Sequence, residues 1–240
     1  MTLLIGLLFL LVPTLAAAQE GREVGLELVL LADASGSIDG DELAFQRQGY
    51  AQAITNPDVI SAIRNSPYGN IAVTYVEWAS NTAVVVDWMV IDGPESAQAF
   101  ADALVGPPRQ AFGPNAIGKA LLAGMAQIEG NAITAPRKVI DFSGDSIRNS
   151  FDPPIEVARA AVLDAGITIN ALPILRPEDG RRAGFNLEEE YKSRIIGGFG
   201  AFMVTAESRA TFAQAVRRKL VLEIAGRMPE PVELAARPPR

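Results

Sequence analysis

The sequence predicts a doubly wound α/β fold: a mainly parallel sheet with one antiparallel edge strand and helices on both faces. Short apolar segments alternate with longer amphipathic ones along most of the 240 residues, which is the pattern of strand–helix units in a parallel sheet. Two strand-like segments, 70–79 and 82–90, are separated only by Ser80 and Asn81. That spacing indicates a hairpin, and a hairpin places one antiparallel strand near an edge of the sheet.

The N-terminal segment is typical of a secretory signal peptide. Residues 3–18 are apolar, are interrupted by Pro13, and end in an A-x-A pattern at Ala18. The run is too short for a comfortable membrane span, so we expect cleavage before Gln19. One feature of signal peptides is missing, since no Lys or Arg precedes the run. An uncleaved anchor is the alternative. Cleavage of residues 1–18 leaves a periplasmic or secreted protein with no stable membrane insertion.

After the signal peptide, residues 19–225 are predicted to form one domain, because no linker interrupts them. The first half begins with a strand, 26–32, whose apolar run ends at Asp33 and is predicted to be buried on both faces. The predicted hairpin is preceded by one helix and followed by another that starts at Pro94. These two helices are predicted at 41–63 and 94–105.

The second half continues the alternation of helices and strands. Helices are predicted at 115–128, 153–165 and 208–225, and strands at 138–142, 167–174 and 201–205. A polar and then glycine-rich insertion with a short helix, 176–198, separates the last two strands. A Pro-rich tail, 226–240, is predicted to be flexible.

Composition restricts the chemistry that the protein can perform. The chain has no Cys and no His, which excludes disulfides and removes the most common general base and zinc ligand. Its formal net charge is −7, and no cluster of Lys and Arg forms a track for nucleic acid. We therefore expect no nucleic-acid partner and no catalysis that depends on His.

The segment Asp33-Ala34-Ser35-Gly36-Ser37 is the strongest functional signal. It lies between the first predicted strand and the first helix, where open α/β sheets bind ligands. Three oxygen-bearing side chains on alternate residues can converge from one tight loop, and hard cations such as Mg²⁺ take oxygen ligands. The alternative is a serine-rich turn whose aspartate caps a helix.

A second aspartate occupies the equivalent position after a later strand. Asp145 follows the strand 138–142 just as Asp33 follows the strand 26–32. If these strands are neighbours, both carboxylates lie at the same edge of the sheet. The alternative for Asp145 is an ordinary turn aspartate after Gly144.

Together these elements resemble the von Willebrand factor type A (vWA) family. Its metal-ion-dependent adhesion site (MIDAS) combines a D-x-S-x-S segment, a Thr from a second loop and an Asp after a later strand. The first and last elements are matched by Asp33, Ser35, Ser37 and Asp145, and Asn115 stands at the position of the Thr. The resemblance implies a Rossmann-like fold and a weakly bound Mg²⁺, Mn²⁺ or Ca²⁺. It also implies a protein partner whose acidic side chain completes the coordination.

Over about residues 25–225, the chain resembles a bacterial family of secreted vWA-like proteins of unknown function. Three segments carry this closer resemblance: 139–145, 195–202 and 218–225. A further departure from the vWA pattern is Ser146, where Gly is usual. The resemblance implies a protein-binding module and not an enzyme.

Two other functions remain open. The cation site can be degenerate, in which case the domain acts through its loops without a metal. Alternatively, Gly144-Asp145-Ser146 is similar to the nucleophile block of Gly-Asp-Ser esterases, although the chain has no His to activate Ser146. A lysine would then have to serve as the base, and the candidates are Lys119, Lys138, Lys192 and Lys219.

Three aromatic residues are candidates for ligand contacts. Trp78 and Trp88 lie on predicted strands and are expected to be core residues. Phe112 lies in the loop before Asn115, and we expect it to be the most exposed of the three.

Overall fold

The computed structural model describes residues 22–175 and 186–227. The predicted signal peptide and residues 228–240 of the predicted tail lie outside this part of the chain. The described strands are β1 (Arg22–Glu23), β2 (Glu27–Asp33), β3 (Ile71–Trp78), β4 (Thr82–Ile91), β5 (Ile133–Thr134), β6 (Lys138–Gly144) and β7 (Thr168–Pro173).

Five of these strands form the central sheet, in the order β4-β3-β2-β6-β7. Strand β4 is antiparallel to β3, and the other neighbouring pairs are parallel. Strands β1 and β5 form a separate short parallel pair. The predicted parallel sheet with one antiparallel edge strand is therefore confirmed.

Helices cover both faces of the sheet, as predicted. They are α1 (Gly40–Ile54), α2 (Pro57–Arg64), α3 (Pro94–Val105), α4 (Ile117–Glu129), α5 (Ile155–Asp164), α6 (Leu187–Arg194) and α7 (Phe212–Ala225). One face packs against α1, α2, α3 and α7, and the other against α4, α5 and α6. None of the helices within 22–175 and 186–227 has both the length and the apolar character of a membrane span.

Strand β2 lies at the centre of this arrangement, and every one of its residues is buried. Leu28 and Leu30 pack into the core on the α1 face, whereas Val29 and Leu31 pack into the core on the α4 face. A continuous apolar run suits this position, because both faces of a central parallel strand are covered by helices. The loop that follows β2 therefore starts from a rigid point.

The single helix predicted at 41–63 is wrong, because the structure has two helices there. Asn56 accepts a hydrogen bond from the Asp58 N–H and caps α2, whose first residue is Pro57. Proline disfavours helical backbone at the preceding residue but suits the first position of a new helix. The predicted strand 201–205 also differs, since within it only Met203 forms an isolated bridge, to Ala171 of β7, and Ala206 just beyond it bridges Ile174.

Candidate functional site

The register of the sheet brings two aspartates to the same edge. Leu31 of β2 pairs with Phe142 of β6, so Asp33 lies level with Gly144, and Asp145 follows directly. Both aspartates are fully buried. The loops after β2 and β6 therefore meet at the carboxyl end of the sheet, where open α/β folds bind ligands.

Hydrogen bonds connect the two aspartates through the serines of the first loop. The Ser35 N–H donates to Asp33 Oδ1 over 2.8 Å. The Oγ atoms of Ser35 and Ser37 are 3.3 Å apart, and Ser37 Oγ donates to Asp145 Oδ1 over 3.3 Å. Ser35 is buried and Ser37 is exposed, so this cluster of oxygen atoms opens to solvent on the side of Ser37.

The cluster has an excess of buried negative charge. Burial, and secondly the charge of Asp145, raise the pKa of Asp33 to about 7, and hydrogen bonding by Ser35 and by the Asp145 backbone opposes this only in part. Asp33 Oδ2 is buried and has no hydrogen-bond partner in the described chain. A buried carboxylate oxygen without a donor is costly, and two carboxylates with two hydroxyls are hard oxygen ligands. The residues present therefore fit a divalent cation.

The cluster contains only two carboxylates, and their number determines how tightly it is expected to bind a cation. No group of three or more His, Cys, Asp or Glu side chains with metal-binding geometry occurs within 22–175 and 186–227. Two carboxylates and two hydroxyls supply fewer ligands than the six or more oxygens that such a cation takes. Such a site is expected to bind weakly and to accept a further anionic ligand.

Gly144 leaves room for three side chains that pack closely against the backbone beside the two aspartates. A Cβ atom there would lie 2.9 Å from Tyr191 Oη, 3.0 Å from the Trp78 ring and 3.1 Å from Asp33 Oδ2. The Trp78 Nε1–H donates to the Ser143 carbonyl over 3.2 Å, and the indole is fully buried. The prediction that Trp78 is a core residue is confirmed. Its hydrogen bond to Ser143 fixes the end of β6, from which the Asp145 loop starts.

Asn115 lies on a second loop that is joined to the first by backbone contacts. The Gly36 N–H donates to the Gly113 carbonyl over 2.9 Å, and the Ser150 N–H donates to the Asn115 carbonyl over 2.8 Å. The Asn115 Nδ2 is buried and has no hydrogen-bond partner in the described part of the chain. The structure thus brings the Asn115 loop to the site, but the Asn115 Nδ2 donates no hydrogen bond to the four clustered side chains.

Asn149 fastens the start of α4 next to this loop. Its Oδ1 accepts the Gly118 N–H over 3.1 Å, and its Nδ2 donates to the Pro153 carbonyl over 2.9 Å. The N-cap residue, Ala116, offers no side-chain oxygen, so Asn149 satisfies a helix N–H from another loop. A side chain at Gly118 is impossible without rearrangement, because its Cβ would lie 2.0 Å from the Pro153 oxygen.

Arg109 is a residue of the site that the sequence analysis missed. Its Nε–H donates to the Ala111 carbonyl and its Nη1–H to the Ile38 carbonyl, both over 2.8 Å. Its Nη2 donates to the carbonyls of Ala34 and Ser35. One guanidinium therefore binds backbone carbonyls within the D-x-S-x-S loop and just after it, and holds that loop against the segment that leads to Asn115.

Ser146, the candidate nucleophile, is engaged in a local turn. Its Oγ accepts the Arg148 N–H over 3.1 Å. No lysine in the described chain donates to it: Lys119 lies over the Phe151 ring, and Lys219 is buried with two carboxylates. The geometry therefore offers Ser146 no base among these residues.

The fold is shared with solved vWA structures. A vWA domain from Catenulispora acidiphila is 16% identical with a TM-score of 0.55, over 84% of this chain and 43% of that one. The PilB minor pilin of Streptococcus sanguinis is 14% identical with a TM-score of 0.60, over 91% and 64%. Proximal thread matrix protein 1 from the mussel byssus, with a zinc-occupied MIDAS motif, is 18% identical with a TM-score of 0.55, over 85% and 47%. The chain thus spans less than two thirds of each of these structures.

At the level of sequence, one family covers most of the chain. No curated protein matches the sequence. The family described as "Protein of unknown function (DUF1194)" matches residues 23–228, which include both aspartates and the three loops of the site. The chain therefore belongs to the DUF1194 family, and its fold is that of a vWA domain.

Proposed function

We propose that this protein is a secreted binding module that recognises another protein through a divalent cation. Asp33, Ser35, Ser37 and Asp145 would hold the cation, with Asn115 in or next to its coordination shell. The observation that supports this most directly is the buried Asp33 Oδ2, which lacks a hydrogen-bond donor beside a second buried carboxylate. A domain without a cation would have to tolerate that cost at the carboxyl edge of its sheet.

The bound cation would supply an open coordination position for an acidic side chain of the partner. The residues of this chain prepare that position: the two carboxylates balance a divalent charge, and the hydroxyls add neutral oxygens. The exposed Ser37 marks the side from which a partner can approach. Mg²⁺, Mn²⁺ and Ca²⁺ all accept such ligands, and a role in adhesion agrees with the vWA folds of the pilin and byssus proteins.

A pull-down from a periplasmic extract tests the proposal. We expect the immobilised mature protein to retain a partner in Mg²⁺, and to release it when a chelator is added. The variant Asp33→Asn serves as the metal-site control and should retain nothing in either buffer. A partner that binds equally with chelator and to Asp33→Asn would favour the degenerate site, in which the loops act without a metal.

Asn115→Thr is expected to tighten cation binding by about tenfold, or about 1.4 kcal/mol. A Thr hydroxyl sits on a short β-branched arm, whereas the longer Asn amide costs more entropy to order and carries an NH₂ group that repels a cation. Parallel Mg²⁺ and Mn²⁺ titrations of both proteins measure the difference. Weaker binding by the Thr variant would mean that the Asn amide is itself an adapted ligand.

The exported protein is expected to begin at Gln19. The apolar run and the A-x-A pattern at Ala18 motivate this prediction. Intact mass measurement and N-terminal sequencing of protein from the periplasm or medium check it directly. A full-length product in the cytoplasm would contradict it.

A further inference from the structure

Two phenylalanines on the loops of the site are exposed. Phe112 is 56% exposed and lies on the loop that leads to Asn115. Phe151 is 40% exposed and lies on the loop that follows Asp145. An exposed aromatic ring forgoes the stabilisation that burial would give it, and here both rings lie on loops that form part of a site that we propose to be an interface.

The backbone of Phe112 is fixed on both sides. Its N–H donates to Asn81 Oδ1 over 2.9 Å, and its carbonyl accepts the Ser80 Oγ–H over 2.6 Å and the Ser80 N–H over 3.2 Å. The next residue, Gly113, has a φ of 98° and accepts the Gly36 N–H of the D-x-S-x-S loop. Phe112 is therefore held one residue away from the contact that joins the two loops.

The second ring is held in a similar way. The Phe151 carbonyl accepts the Asn149 Nδ2–H over 2.9 Å. Each ring also has a cation above its face: the Arg109 guanidinium carbon lies 5.3 Å from the centroid of Phe112, and Lys119 Nζ lies 4.7 Å from that of Phe151. Backbone bonds and stacked cations restrict both side chains before any partner arrives.

We propose that Phe112 and Phe151 are the apolar anchors that determine which acidic partner the site accepts. The inference rests on the proposed function, since the anchors act beside a carboxylate bound at the cation. A single carboxylate contact does not distinguish one acidic protein from another, whereas fixed aromatic side chains are the residues that dominate specific interfaces. The partner that fits is a protein segment whose Asp or Glu has an apolar side chain on each side.

Selection from a random peptide library displayed on phage tests this inference. The mature protein is immobilised in Mn²⁺, and bound phage are eluted with a chelator. The variants are Phe112→Ser and Phe151→Ser. Phe199→Ser is the matched control, because Phe199 is also exposed but lies beside Thr168 at the opposite end of the sheet.

We expect the wild-type protein and Phe199→Ser to select peptides with an acidic residue between apolar ones. Phe112→Ser and Phe151→Ser should each bind those peptides at least tenfold more weakly, while their melting temperatures and Mn²⁺ affinities stay at the wild-type values. Selection of acidic peptides without apolar neighbours, or equal peptide binding by all four proteins, would show that Phe112 and Phe151 are not anchors. Either result would leave the proposed function intact. Peptides without acidic residues, or binding that survives the chelator, would overturn the proposed function as well.

Discussion

Asp33→Asn is expected to abolish cation binding and to stabilise the metal-free protein at the same time. The Asn oxygen can still accept the Ser35 N–H, which now donates to Asp33 Oδ1. The substitution removes a buried charge next to Asp145, whose proximity contributes to the raised pKa of Asp33. We expect the free energy of unfolding of the metal-free protein to rise by about 1–3 kcal/mol.

Chemical denaturation in a chelator measures the stability of the metal-free protein. The same experiment in about 10⁻² M Mn²⁺ measures the gain from the cation, because a ligand at roughly tenfold to a hundredfold its Kd stabilises a folded protein measurably. Asp164→Asn is the control, since Asp164 is exposed at the end of α5. Asp33→Asn is expected to be more stable than the wild type without metal and to gain no stability from Mn²⁺. A variant that is less stable without metal, or that gains as much from Mn²⁺ as the wild type, would contradict this expectation.

Arg109→Ala is expected to loosen the D-x-S-x-S loop and to weaken cation binding at least tenfold. The guanidinium binds the carbonyls of Ala34, Ser35 and Ile38. Its removal takes that donor from the Ala34 and Ile38 carbonyls, whereas the Ser35 carbonyl keeps the Ile38 N–H. We expect a loss of about 2–3 kcal/mol of stability. Arg109→Lys should recover little, because a single ammonium cannot span acceptors that a planar guanidinium reaches together.

The Mn²⁺ affinity of the folded variants separates a positioning role from a purely structural one. Arg148→Ala is the matched control, because Arg148 is an exposed arginine on the loop after Asp145. Its replacement should leave both stability and Mn²⁺ affinity unchanged. If Arg109→Ala lowers stability but binds Mn²⁺ like the wild type, the guanidinium supports the fold without shaping the site.

The fold was predictable because its signals are local. A continuous apolar run followed by Asp33 indicates a central strand, and the short Ser80–Asn81 connection indicates a hairpin; both features are present. The prediction of one helix at 41–63 was wrong at Asn56 and Pro57. It followed the helical spacing of the apolar residues and ignored the proline, which marks the end of one helix and the start of the next. Strands β1 and β5 have two residues each, which is too short for any periodicity to reveal.

Within the candidate site, only the residues that directly follow a strand could be predicted from the sequence, because the order of the strands determines where such residues lie. Asp33 and Asp145 follow strands that turn out to be neighbours, so topology alone brings them together. Arg109 gave no comparable signal, because its acceptors are backbone carbonyls up to 75 residues away. Asn149 acts in the same way on a helix 31 residues earlier in the chain. Bonds from side chains to distant backbone atoms leave no pattern in the sequence.

Calorimetric titration of the mature protein with Mn²⁺ measures whether Asp33, Ser35, Ser37 and Asp145 hold a cation. We expect one site with a Kd of roughly 10⁻⁴ to 10⁻³ M, the range of open extracellular oxygen sites. We also expect that Mg²⁺ or Ca²⁺ competes for this site and that Asp33→Asn shows no binding heat. Absence of binding by the wild-type protein with all three cations, or equal binding by Asp33→Asn, would contradict the account.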